Sequence, residues 1–65
     1  MNWDQIQGNW TQFTGKAKQQ WGELTDDDLA QAEGDRDVLE GKIQERYGDS
    51  KEEAREKVDA WISRL

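Results

Sequence analysis

The chain has 65 residues, with fifteen Asp and Glu against nine Lys and Arg, a formal charge of −6, and neither His nor Cys. That length suits one small domain over residues 1–65, which buries only about 60% of the surface its unfolded form exposes. Disulfides, thiolate zinc sites, imidazole ligands and the ordinary neutral-pH proton shuttle are all excluded by composition, and the acidic balance disfavours phosphate backbones and anionic membrane surfaces.

A mean hydropathy of −1.26 lies near the border of disorder. Four Trp, one Phe and one Tyr pull the other way, because large aromatics bury much surface per residue. A folded domain of modest stability is expected. No apolar run approaches the ~20 residues of a membrane span, and no signal-peptide core follows Met1. The expectation is a soluble cytoplasmic monomer without membrane contact.

With no Pro and no strand-like alternation, the chain reads as all-α. The segment Asn2-Trp3-Asp4-Gln5-Ile6 predicts a short opening turn that ends near Gly8. Asn9 is placed to cap a helix over residues 10–21. Its apolar residues Trp10, Phe13, Ala17, Trp21 and Leu24 fall within about 60–100° of one another on a helical wheel. Gly15 lies off this stripe, and Gly22 is placed to end the helix with positive φ. Thr25 caps a second helix, whose first-turn Asp26, Asp27 and Asp28 suit the positive end of the helix dipole. Leu29 and Ala32 are its apolar contacts and Gly34 its end. A third helix over 35–47 carries the stripe Leu39, Ile43 and Tyr47 and closes at Gly48. Ser50 with Glu53 forms a capping box for a last helix bearing Ala54, Val58, Trp61, Ile62 and Leu65.

One pattern occurs twice. Gly15-Lys16-Ala17-Lys18-Gln19-Gln20-Trp21-Gly22 returns as Gly41-Lys42-Ile43-Gln44-Glu45-Arg46-Tyr47-Gly48. The copies set Phe13, Ala17 and Trp21 against Leu39, Ile43 and Tyr47, with Trp10 answered by Arg36. The design is two αα-hairpins that bury their stripes against each other, plus the short N-terminal turn.

Chemistry has few footholds. Three adjacent carboxylates on a helix point about 100° apart and cannot converge on one ion, and the alternating ligands of a calcium loop are absent. Gly15-Lys16 and Gly41-Lys42 lack the phosphate-loop frame. Ser50 and Ser63 have no base beside them. No catalytic residue, metal or cofactor is expected. Lys16, Lys18, Lys42 and Arg46, with Trp21 and Tyr47 nearby, are candidates for a basic-aromatic contact with nucleic acid, which the net charge disfavours. The ordinary alternative keeps the lysines as solvated residues and pairs Arg46 with a local acid near Glu45 or with Asp49. Trp3 precedes the main helices. It either covers one end of the core or stands exposed as a contact for a protein partner.

Gly8-Asn9-Trp10, Phe13, Gly15-Lys16, Trp21-Gly22, Leu24-Thr25-Asp26-Asp27-Asp28 and the segment Gly41–Gly48 together resemble the CsbD-like family of small bacterial proteins, over nearly the whole chain. The resemblance implies a small helical bundle of the sterile-alpha-motif type, with two hairpins packed across each other. It also implies membership of general stress and stationary-phase regulons. It carries no catalytic residues. The functions to weigh are a non-enzymatic protective protein of the hydrophilin type, an adaptor that contacts a partner through a helix face and Trp3, and weak nucleic-acid association.

Overall fold

The computed structural model describes residues 1–65. It contains five helices: α1 (Trp3–Gly8), α2 (Trp10–Gln20), α3 (Asp26–Ala32), α4 (Arg36–Tyr47) and α5 (Lys51–Arg64). Each start has a local cause. Asn2, Thr25 and Ser50 accept from the backbone N–H three residues on, and the side chains of Gln5, Asp28 and Glu53 return the bond, so α1, α3 and α5 all open with reciprocal capping boxes. Asp35 caps α4 by accepting from the N–H groups of Asp37 and Val38.

The start of α2 differs from the expectation. The Asn9 side chain makes no bond to the first turn of α2. Its amide instead donates to the Gln5 carbonyl at 3.1 Å, satisfying an acceptor at the end of α1. Its backbone carbonyl accepts from Gln12 and Phe13. One residue therefore closes α1 and opens α2 without a spacer.

Twelve buried apolar residues form one core: Ile6 from α1, Phe13 and Ala17 from α2, Trp21 and Leu24 from the following loop, Leu29 and Ala32 from α3, Leu39 and Ile43 from α4, and Ala54, Val58 and Trp61 from α5. Neighbouring helices in sequence pack on one another, with α3 seated against both α2 and α4. Trp61 ties the last helix back to the first hairpin. It meets Trp21 at 5.0 Å and Phe13 at 6.4 Å, both edge-on, the arrangement that aromatic quadrupoles favour. Trp10, Ile62 and Leu65 are half-buried against this core.

The repeated pattern folds in two ways. Trp21 lies just past α2 with a non-helical backbone, φ −122° and ψ 84°, and is buried in the core. Gly22 does not adopt positive φ, so its expected left-handed role is corrected. Tyr47 completes the last turn of α4, and Gly48 takes φ 69° as the left-handed cap. Tyr47 is consequently exposed, not part of the buried stripe. Its hydroxyl accepts from the Glu23 N–H at 3.2 Å, and the Lys57 ammonium sits 4.5 Å from its ring centroid.

The left-handed turn between α3 and α4 uses Glu33 (φ 51°) and Gly34 (φ 80°). A Cβ on Gly34 would stand 2.9 Å from Gln7 Cγ and 3.3 Å from Gln7 Cα. The absence of a side chain at Gly34 lets α1 lie directly on this turn.

Candidate functional site

Charged side chains converge on the first turn of α3. Thr25 sets the turn through its capping box, and this turns Asp28 inward until it is 4% exposed. Asp28 Oδ2 accepts from the N–H of Thr25 at 3.1 Å and from Arg46 Nε at 2.9 Å, while Arg46 Nη2 donates to Oδ1 at 3.2 Å. The fork of the guanidinium matches the two oxygens of the carboxylate. Lys42 approaches Asp28 Oδ1 to 3.8 Å and donates to Gln31 Oε1 at 2.7 Å. Lys18 pairs with Asp26 at 2.9 Å on the open side. Cations from both copies of the repeat thus meet the acidic triplet.

The hydrogen bonds from Arg46, then the Thr25 backbone N–H, lower the Asp28 pKa from 3.8 to about 2, against the opposing effect of burial. The same hydrogen bonds from Arg46 to Asp28 raise the pKa of the guanidinium. Asp28 is therefore a permanent anion at neutral pH, with its lone pairs occupied. It is built to join α3 to α4 and not to exchange protons.

These contacts place most of the sequence-derived candidates. Lys18, Lys42 and Arg46 each face a carboxylate. Lys16 stands apart, with its ammonium 5.5 Å from the Phe13 ring centroid. The four cations do not form one free basic face. Arg46 pairs with Asp28 across the fold and not with a local acid. Asp49 is taken by Lys57, whose ammonium meets the otherwise unbonded Oδ2. Trp3 is half-buried. Its indole N–H donates to the Gly34 carbonyl at 2.8 Å, and its ring packs at 5.8 Å and 52° against Trp10.

Two features escape a reading of the sequence. Trp10 donates its indole N–H to the Leu29 carbonyl at 2.9 Å, fixing the ring between α2 and α3. Arg36, which replaces the Trp of the first copy, binds Glu40 at 2.8 Å and reaches Asp59 and the Arg55 carbonyl on α5. Burial works against the charge on Arg36, but the hydrogen bonds to Asp59 and Glu40 outweigh it and raise its pKa. A polar clamp thus holds α4 to α5 where the first hairpin uses an aromatic. The i,i+4 spacing of Arg36 and Glu40 was a visible signal for the first half of that clamp. Nothing local points to Asp59.

No group of three or more acidic side chains is arranged to hold a metal ion, and no helix is long and apolar enough to cross a membrane. The model of the CsbD-like family matches residues 4–56. The chain is 59% identical over 64 residues to UPF0337 protein YjbJ of Escherichia coli O6:H1, covering 98% of this chain and 93% of the relative. It is 64% identical over 61 residues to UPF0337 protein ECA0631 of Pectobacterium atrosepticum, covering 94% and 88%. Its similarity to UPF0337 protein PA4738 of Pseudomonas aeruginosa is 55% identity over the full length of both.

Proposed function

Because the chain belongs to the CsbD-like family, we propose that it is a non-enzymatic general stress-response protein that protects other macromolecules through its hydrated acidic surface. One observation carries this reading. Five carboxylates enter ion pairs, on Asp26, Asp28, Glu40, Asp49 and Asp59. The other ten of the fifteen are unpaired and exposed. They surround a small folded body whose core is closed by capped helices. Such a surface holds water strongly, repels its own copies and stays soluble when crowded. Catalysis has no support in the arrangement. The one carboxylate whose proton affinity is strongly shifted, Asp28, has its oxygens occupied by structural partners.

The reading is tested by drying or freezing a labile enzyme with and without the protein. Recovered activity should exceed that given by an equal mass of albumin. Recovery equal to the albumin control would remove the protective role. A gel shift at about 50 mM salt, where electrostatic binding to phosphates is strong, tests the competing nucleic-acid reading, and no retardation is expected.

A further inference from the structure

An open cleft of about 520 Å³ lies between α2 and α3. Trp10 and Ala30 contribute apolar surface to it, while Thr11, Thr14, Asp26 and Glu33 contribute polar groups. This size falls in the range of pockets that hold small ligands or single anchoring side chains.

The hydrogen-bonding inventory selects what can enter. The Trp10 N–H is spent on the Leu29 carbonyl. The Thr14 hydroxyl donates to the Thr11 carbonyl at 2.8 Å. No Lys or Arg lines the cleft. Asp26 shares its charge with Lys18 but its side chain remains 83% exposed. Glu33 is exposed and enters no ion pair or side-chain hydrogen bond. The cleft therefore offers carboxylate oxygens, hydroxyl lone pairs and part of an indole, with the Thr11 hydroxyl as the one side-chain donor left. Anions and pure acceptors find almost no partner there. A cation that carries donors on a flat apolar face satisfies every part of it. A guanidinium stacks on aromatic rings and forks onto a carboxylate, which a compact ammonium does less well. The hydrogen bond to Leu29 and the packing on Trp3 fix the indole beforehand, so little ordering is needed on binding.

The geometry points to this cleft as a receptor for an arginine side chain on a basic segment of a partner protein, with Trp10 as the stacking surface and Glu33 as the counter-ion. The assignment goes beyond the protective role and does not depend on it. The ten unpaired carboxylates add a general attraction for such a segment, and the cleft adds the indole of Trp10 to it.

The test is an NMR titration of the ¹⁵N-labelled protein with a capped pentapeptide containing three arginines, alongside its citrulline counterpart. The arginine peptide should shift the Trp10 indole N–H and the amides of Thr11, Thr14 and Ala30 saturably, and the citrulline peptide should not. Glu33→Asn removes the charge with a residue that accepts the left-handed conformation, so the fold is retained. It should weaken binding about fivefold, the effect of losing one exposed ion pair of ~1 kcal/mol. Ala30→Gln, which fills the cleft without changing charge, should weaken it as well. Equal response to citrulline would overturn the assignment, as would shifts spread evenly over α5 residues such as Glu52 and Glu56. The same resonances moving on concentration of the protein alone would put a second copy in the cleft, and would also overturn it.

Discussion

Asp28 shows how much a single side chain settles. It is at once the third residue of a capping box, the partner of Arg46 on another helix and a neighbour of Lys42. Its pKa in the folded state lies below the ordinary carboxylate value, so its charge stabilises the fold fully above about pH 4. The contribution falls as pH drops from 3.8 towards about 2, because protonation then costs the folded state more than the unfolded one. Asp28→Asn should melt at a lower temperature than the parent near neutral pH. The gap between the two should narrow as the pH is lowered through that window. Thermal unfolding by circular dichroism from pH 7 to pH 2 measures it, and a gap that stays constant with pH would show that the pairing carries no charge-dependent stability. Gly34 acts through the absence of a side chain. Its φ of 80° and its approach to Gln7 predict that Gly34→Ala loses roughly 1–3 kcal/mol, readable as a lower urea midpoint.

At the scale of elements, the glycines divide by context. Gly15 and Gly41 sit inside α2 and α4 with open space where a Cβ would stand and no positive φ. Alanine at either position should stabilise the domain by about 0.4–1 kcal/mol, because it lowers the freedom of the unfolded chain and suits a helix. A double variant that melts no higher than the parent would contradict these helix assignments. The same elements show what the sequence made legible. All-helical character, the capping roles of Thr25 and Ser50, and the stripes Phe13-Ala17, Leu39-Ile43 and Ala54-Val58-Trp61 follow from period and cap chemistry, which are local. The failures are equally physical. Tyr47 shares its register with Trp21 but not its burial, because the backbone leaves the helical conformation at Trp21 while Tyr47 stays within its helix. Asn9 serves the helix before it, since α1 and α2 abut with no loop between them. The destination of Arg46 depended on which helices meet, information that no local window contains.

For the whole molecule, stability and function rest on different layers. The interior depends on Trp61, which joins α5 to Phe13 and Trp21. Trp61→Ala should cost roughly 3–5 kcal/mol, a large part of what a domain this small can possess. The variant should be mostly unfolded by circular dichroism at room temperature, and a cooperative melt close to that of the parent would show that the core is organised otherwise. The exterior is a shell of exposed, unpaired carboxylates, and the protective reading makes that shell the active part. The most direct test is recovery of a labile enzyme after drying in the presence of the parent or of a variant with Asp27, Asp37, Glu45, Glu52 and Glu56 changed to their amides. None of these five enters an ion pair, so the fold should survive, as circular dichroism would verify. The account predicts recovery above the albumin control with the parent and a clear loss of that advantage with the amide variant. Equal recovery from the two folded proteins would contradict it.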